Sequence, residues 1–435
     1  MSIAVFCGLV IFVLLAVMLL AGVPIAIALA VSSICAILPV LNLGASVLTG
    51  AQRIFSGISV FSLLAIPFFI LAGNIMNNGG IAIRLVNCAR LISGRLPGSL
   101  AQTNIVANML FGAISGSGTA AAAAIGGTMA PIELEEGYDK DYVAAVNIAS
   151  APTGQLIPPS NTLIVYATVA GSVSVAALFM AGYIPGIAWG ISLMFIAGYM
   201  AKKRGYVSTF SVTPKEALKV LWDALPSLLL IIIVIGGILK GVFTATEGSA
   251  IAVVYALILS LCYRSLKIKD LPSIILSSCK TTCIVIFMIG VSSIMSWVMA
   301  YTMIPTAIAN AMLSLSSNKY VILLLMNVIL LVVGTFMDPT PAVLIFTPIF
   351  LPICQSFGMD PVQFGIMIVF NLCIGTITPP VGVILFTGCK VVGISIEGVI
   401  KTLLPFFAAI AVVLLLVTYV PAMSMWIPSM LGLVK

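Results

Sequence analysis

Apolar runs long enough to cross a bilayer succeed one another along nearly the whole chain. They fall at roughly 3–20, 23–41, 55–77, 141–173, 176–200, 224–242, 246–263, 275–303, 361–393 and 402–424, most of them close to or beyond the ~20 residues that a spanning helix needs. Two further apolar stretches, 98–132 and 320–355, divide near their middles. The first breaks at Ser115-Gly116-Ser117-Gly118-Thr119 and the second at Met337-Asp338-Pro339-Thr340-Pro341. Each half is too short for a comfortable span, so both stretches are expected to be re-entrant hairpins. Non-helical backbone at that depth is tolerated only against protein or a water-filled cavity. Two of the long runs are also interrupted, by GQLIPPSN at 154–161 and by NLCIGTITPPVG at 371–382.

These interruptions recur. Pro131 and Pro352, Gly137 and Gly358, Gly154 and Gly375, and Pro158 and Pro379 each stand 221 apart, whereas Gly112 and Gly334 stand 222 apart. The sequence is therefore a duplication, with one residue gained near the first hairpin tip. Interrupted helices at corresponding positions of two repeats point to a binding site near mid-depth. Charge supports an inverted arrangement of the copies. With the 201–223 linker in the cytoplasm, fifteen Lys and Arg fall inside and four outside (Arg53, Lys240, Lys319 and Lys435), as the positive-inside rule requires. Both chain ends are then expected on the outer face.

Between the spans, KKRGYVSTFS reads as a polar turn. Thr213-Pro214-Lys215-Glu216 has the form of a capping box with proline at the first helical position, and the short helix EALKVLWD after it is expected in the interface, with Trp222 at headgroup level. Thr244 to Glu247 has the same capping spacing. Residues 80–96 and 305–318 read as two lateral arm helices on opposite faces. The N-terminal segment reads as a retained first transmembrane helix, since it lacks a basic leader.

Composition narrows the class. Hydrophobic residues make up 62% of 435 positions, charged residues only 7%, and mean hydropathy is +1.27, against about a quarter charged in soluble chains. The net charge of +7 lies in short loops and is no nucleic-acid signal. Nine cysteines, mostly in apolar runs, read as small core residues, and the absence of histidine removes histidine-based relays and triads. The acidic cluster Glu133, Glu135, Glu136, Asp139 and Asp141 reads as a solvated cytoplasmic loop.

The breaks carry the candidate chemistry. Proline has no N–H and its ring crowds the carbonyl four residues back. Pro158-Pro159 thereby releases the carbonyls of Gly154 and Gln155, and Pro379-Pro380 those of Gly375 and Thr376. Ser150, Thr153, Ser160 and Asn161 stand around the first break, and Asn371, Thr376 and Thr378 around the second. Oxygen donors of this kind suit a hard cation such as Na⁺. From the breaks and the second tip, Gly154, Pro158, Asp338, Gly375, Thr376 and Thr378 are expected at the cation. The expected substrate set is Thr119, Ser160, Asn161, Thr340 and Pro379. Asp338 is the one carboxylate this topology places deep in the membrane, where it needs a partner or a task. Capping the helix begun by Pro339 and neutralising a cation are compatible tasks. Helix N-termini at both tips favour an anionic substrate group.

With the repeat, the GAISGSG hairpin, the Pro-Pro breaks, GGILKGVFTATEGSA and GTFMDPTPAVLIFTPI in view, the chain resembles the large membrane subunit of TRAP (tripartite ATP-independent periplasmic) transporters over essentially its whole length. TATEGSA departs slightly from the more usual TPTEAAA. The resemblance implies an all-α integral membrane protein with an inverted-repeat, elevator-type fold. Residues 1–79 and 224–303 would form a scaffold and 97–200 and 320–424 a transport part. The pieces 80–96 and 304–319 would be arms, 201–223 a linker with an interfacial helix, and 425–435 a periplasmic tail. The resemblance also implies the wider sodium-binding set of Ser115, Gly116, Ser117, Gly154, Pro158, Gly334, Thr335, Asp338, Gly375, Thr376 and Thr378. It further implies sodium coupling, a small four-helix membrane subunit, a periplasmic substrate-binding protein, a place in the bacterial inner membrane, and an organic anion as cargo, sialic acid first and a C4-dicarboxylate next. A stand-alone sodium–dicarboxylate carrier or antiporter is the nearest rival, and an intramembrane enzyme the second. A lone Asp without histidine is a poor catalytic constellation, and no phosphate-binding G-x-x-x-x-G-K-[ST] loop is present for an ATP-driven pump.

Overall fold

A computed structural model of the protein describes residues 3–171, 173–206, 213–315 and 318–434. The first half holds α1 (Ile3–Leu20), α2 (Ile25–Ile37), α3 (Leu43–Ile58), α4 (Ala65–Asn78), α5 (Ile81–Ser93), α6 (Ser99–Ser115), α7 (Gly118–Glu135), α8 (Lys140–Ser150), α9 (Asn161–Ala170) and α10 (Val175–Arg204). The second holds α11 (Pro214–Leu239), α12 (Ala245–Cys262), α13 (Leu271–Tyr301), α14 (Ile304–Leu315), α15 (Lys319–Gly334), α16 (Pro339–Ser356), α17 (Pro361–Gly375), α18 (Val383–Val392), α19 (Ile396–Tyr419) and α20 (Ala422–Met430). Among the described residues there is no strand, and eight helical stretches are long and apolar enough to cross a membrane; one is Pro339–Ser356, so that half of the second hairpin is longer than the sequence reading expects.

Both hairpins form where the sequence predicts them, as α6–α7 and α15–α16. Both interrupted runs are broken, α8 from α9 by a tight turn at 151–155 and α17 from α18 by residues 376–382. The arms are α5 and α14; Ser316 and Ser317, beyond the second, lie outside the described residues. The two capping boxes are made, with Thr213 and Thr244 each accepting from the amide three residues on while Glu216 and Glu247 reach back.

The halves interlock through an exchange. Hairpin helix α7 packs on α18, the far half of the second broken helix, and α16 packs on α9, the far half of the first. Tyr166 of α9 donates its hydroxyl proton to the Pro361 carbonyl of α17. Trp189 of α10, fully buried, donates Nε1–H to the Ala149 carbonyl at 3.0 Å and tilts against Phe370. A separate layer brings α4 against α12 and α13, with α3 also on α13.

Four expectations change. The predicted interfacial helix and the span after it are one helix, α11, running through Pro226. Beside the proline, Tyr263 donates to Asp223 O at 3.2 Å and Tyr255 to Pro226 O at 2.8 Å. Lys202, Lys203 and Arg204 end α10 rather than start a turn, and 207–211 of that predicted turn lie outside the described residues. The run read as 55–77 is preceded by a separate helix, α3, capped by Asn42. Residues 422–430 of the supposed tail form α20, packed on α10.

The acidic loop is likewise not uniformly solvated. Glu133 is fully buried in the last turn of α7. Asp139 and Asp141 both bind Arg204, at 2.8 and 2.7 Å, and Asp141 also accepts from Thr402 of α19. At that polar end, where the loop meets α8, Arg204 holds the Asp141 carboxyl down at about 2. Of the nine cysteines, Cys262, Cys279 and Cys283 sit on the outside of the bundle rather than in its core.

Candidate binding cavity at the hairpin tips

Each hairpin turns through a short polar cap. Gly116 ends α6 in a left-handed conformation (φ +61°), which glycine adopts without penalty, and donates to Gly112 O at 2.8 Å. Ser117 then caps α7, accepting from the Ala120 amide at 3.3 Å and lying 3.1 Å from the Thr119 hydroxyl. At the second tip Asp338 caps α16, accepting from the Thr340 amide at 3.2 Å, with Pro339 at the first helical position where its missing N–H costs nothing. Two helix N-termini, each partly positive, therefore start at the two tips.

The tips meet at a half-open cavity of about 460 Å³. Ser115, Gly116, Ser117 and Thr119 of the first tip line it, with Asp338 and Thr340 of the second and Asn161 and Thr162 from the start of α9. The opposite wall comes from α4 and α13, through Asn74 and Thr281 among apolar neighbours. Asn74 is held by its side-chain bond to Ser278 Oγ at 2.8 Å, tying α4 to α13. Gly73 lets the first tip come close: a β-carbon there would lie 3.1 Å from Ser115 O.

Behind the cavity, each hairpin crosses its own broken helix at a pair of glycines. A β-carbon on Gly112 would sit 2.3 Å from Gly154 Cα, and one on Gly375 2.4 Å from Gly334 Cα. These overlaps are with main chain, which has no side-chain end to move aside. The glycines that mark the repeat in sequence are thus where backbone touches backbone. Gln155, in the first break, accepts from Cys373 Sγ of α17 at 3.0 Å, so the two broken helices also meet.

The carbonyls expected to be bare are largely engaged. Gln155 O accepts from the Ser160 hydroxyl, Gly375 O from the Thr378 amide at 3.0 Å, and Thr376 O from the amides of Ile384 and Leu385 at 3.0 and 3.3 Å. The chain doubles back after each proline pair and brings new donors to the carbonyls the prolines release. A carbonyl oxygen has two lone pairs, so Gln155 O and Gly375 O, each with one donor, keep ligating capacity, whereas Thr376 O with two does not. Unengaged side-chain oxygens also remain: Asn161 Oδ1 and Asn371 Oδ1 are enclosed without a hydrogen-bond partner. Within the cavity the hydroxyls of Ser115, Ser117, Thr119 and Thr340, the Asn161 amide and the Asp338 carboxylate are donor types that suit a hard monovalent cation.

The structure therefore divides the expected residues. Ser115, Gly116, Ser117, Thr119, Asn161, Asp338 and Thr340 share the cavity. Gly154, Pro158, Ser160, Gly334, Thr335, Gly375, Thr376, Thr378 and Pro379 belong to the crossings and breaks rather than to its lining. Thr335 is bound into the second break by accepting the Gly382 amide at 3.2 Å. Sequence reasoning missed Gly73, Asn74, Thr162 and Thr281. Asn74 and Thr281 could have been found as polar residues inside apolar runs, but nothing in their local pattern says that they face the hairpins.

Paired hairpins and broken helices around a polar cavity, in a bundle with eight candidate spans, define a membrane carrier of the repeat-built kind. A family model described as "Tripartite ATP-independent periplasmic transporter, DctM component" matches residues 12–423, and the chain belongs to that family. YgiK of Salmonella typhimurium, described as uncharacterized, is 53% identical over 95% of both chains. The isethionate TRAP transporter permease protein DctMQ of Oleidesulfovibrio alaskensis is 41% identical over 96% of this chain and 66% of its own length. The C4-dicarboxylate TRAP transporter large permease protein DctM of Rhodobacter capsulatus is 36% identical over 98% and 100%. Among solved structures, the YdaH transporter of Alcanivorax borkumensis aligns with a TM-score of 0.58 over 87% of this chain and 88% of that one, at 12% identity. That likeness speaks for the fold alone.

Proposed function

We propose that the chain is the large membrane subunit of a sodium-coupled importer of small organic anions, working by an elevator motion. The observation that carries this reading is the cavity with one wall from both hairpin tips and the other from α4 and α13. Each hairpin is joined to its broken helix at a glycine crossing and to the other repeat by the α7–α18 and α16–α9 exchange, which favours one body moving against a second built on α3, α4, α12 and α13. The arms α5 and α14 would join the two bodies.

The cation would be held in the cavity by oxygens of Ser115, Ser117, Asn161 and Asp338, and its charge would offset that of Asp338. The tip amides of α7 and α16 favour a carboxylate or sulfonate, but the Asp338 carboxylate repels one until it is neutralised. Charge thus orders the events, cation before anion. Sialic acid, a C4-dicarboxylate and isethionate all belong to this class of cargo. The family works with a small membrane subunit and a periplasmic binding protein, and we assign both as partners of this chain. The assigned setting is the inner membrane, with both termini outside.

Uptake into proteoliposomes containing the small subunit, with the binding protein outside, tests the reading. Transport is expected to need both the binding protein and an inward sodium gradient, with competition among the three anions ranking the substrates. Equal uptake without sodium would overturn the coupling.

A further inference from the structure

Glu133 takes no part in the cavity. It is fully buried in the last turn of α7. Its side-chain partner is Asn104 of α6, whose Nδ2 lies 3.4 Å from both carboxyl oxygens. Asn104 Oδ1 accepts from Asn108 Nδ2 at 2.7 Å, and that same nitrogen lies 3.2 Å from Asn147 Oδ1 and 2.9 Å from Ser150 Oγ. Ser150 O accepts from the Thr153 hydroxyl at 2.7 Å. A line of fully buried polar side chains therefore runs from Glu133 to Ser150 at the end of α8, and the Ser150 carbonyl takes the Thr153 hydroxyl of the 151–155 turn that breaks the first helix.

The surroundings disfavour a charge on Glu133. The elements packed on α7 are α5, α6, α8, α18 and the 151–155 turn. On α8, Lys140 is exposed, Asp141 is paired with Arg204, and Tyr142 is buried. Lys390 of α18 is exposed and Cys389 buried, while α5 carries Arg84, Cys88 and Arg90. Tyr138, in the loop after α7, and Tyr142 both lie within electrostatic reach of the carboxyl, as does Glu136 of Tyr138; α7 itself also carries Glu135. Among the described residues, the ion pairs join Arg84 to Asp223 and Arg204 to Asp139 and Asp141, and none involves Glu133. Burying an unpaired carboxylate costs far more than burying the neutral acid, and the C-terminal end of a helix repels negative charge.

The asparagines supply a device that responds to the proton. Asn108 Nδ2 has two hydrogens for three acceptors, while Asn108 Oδ1 has no partner at all. The two ends of an amide have nearly the same shape, so the line has a second arrangement. A carboxylate must accept, so Asn104 points its NH₂ at Glu133 and Asn108 donates onward to Asn104, as seen here. A protonated acid donates its O–H to Asn104 Oδ1; Asn104 Nδ2 then faces Asn108, whose amide turns over in step, so that Asn108 Oδ1 accepts from Asn104 and draws the Ser150 hydroxyl away from the Val146 and Asn147 carbonyls at the end of α8.

We propose that Glu133 is a proton-binding site, exchanging one H⁺ with water at the polar end of the bundle, and that its proton sets the sense of the Asn104–Asn108 line and hence the geometry of the 151–155 turn. This site is separate from the proposed cation site, and its test uses neither sodium nor substrate, so failure of the transport reading would leave it standing.

The test uses the purified chain in lipid vesicles. Infrared difference spectra between acidic and alkaline buffer are expected to show a buried-acid C=O band that persists at neutral pH and is absent in Glu133→Gln. Hydrogen exchange of amides 151–157, corrected for intrinsic rates, is expected to change about tenfold across one unit-wide titration in the wild type and to be flat in Glu133→Gln. Asn108→Leu should keep the band and lose the exchange response. A wild-type spectrum without that band at neutral pH overturns the proposal, as does an exchange profile in either variant that matches the wild type. If Glu133→Gln does not fold, the Asn108→Leu profile decides.

Discussion

Where the first hairpin carries Asn104 and Glu133, the second carries Met326 and Cys354, the residues 222 and 221 positions on. The correspondence survives in space: Cys354 Sγ lies 3.6 Å from Met326 Sδ, as Glu133 lies against Asn104. Asn108 corresponds to the buried Leu330, and Ser150 to Asn371, which binds Asn327 O and Oδ1 at 3.0 and 2.7 Å. The tips differ in the opposite sense. Ser117 caps the first and Asp338 the second, again 221 apart. Glu133, deep in the packing of the first hairpin, and Asp338, at the cavity in the second, therefore each have no carboxylate at the matching position of the other copy. The lesson is that the duplicated backbone fixes where helices break and cross, while polar chemistry was placed independently in each copy.

The largest effects should come from the crossings that the copies share. Gly154→Val and Gly375→Val are each expected to abolish folded protein in membranes, measured by fluorescence-detected size exclusion. A finer contrast lies on the hairpin side, where a β-carbon on Gly334 would clear Gly375 Cα by 3.1 Å against 2.3 Å at Gly112. Gly112→Ala should therefore cost about 3 kcal/mol and Gly334→Ala about 1, read from thermal unfolding midpoints in one detergent. Equal losses at the two positions would break the contrast.

Next come the tips. Asp338→Asn should lower sodium-driven uptake at least tenfold with little loss of stability, since Asn caps a helix about as well as Asp. Ser117→Ala should cost ~1 kcal/mol of stability with a smaller loss of uptake, because no charge is removed. The buried pair comes third. Cys354→Glu places a carboxylate beside Met326 without a donor and should cost ~3 kcal/mol. Adding Met326→Asn should restore about 1 kcal/mol of that through the hydrogen bond, a coupling that a double-mutant cycle measures. The smallest effects belong to the capping boxes, where Thr213→Ala and Thr244→Ala should each cost ~1 kcal/mol or less.

Much of the frame was legible because breaks and crossings need particular residues. Gly112, Gly154, Gly334 and Gly375 stand where backbones touch, and Pro158 and Pro379 where helices end, so spacing alone revealed the repeat. Features set by tertiary packing were less visible. Helix α3 carries Gln52 and Arg53 and falls below the hydropathy of a span. Continuity of α11 past Pro226 leaves no local signal, since proline ordinarily kinks or ends a helix. Burial of Glu133 was hidden because it sits in a run of acids whose other members, Glu135 and Glu136, face outward. Of the candidate site, the tips were read correctly as polar and the carbonyls too freely as bare, because local sequence does not say which amides will return to them.

At the glycine crossings, nothing but main chain fills the space between hairpin and broken helix. Side chains that line the cavity hang from this frame without being part of it, so Thr119, Asn161, Thr162 and Thr340 can be exchanged while the skeleton beneath keeps its shape. A protein assembled in this way can alter the chemistry of its cavity wall and leave the joints behind it as they were.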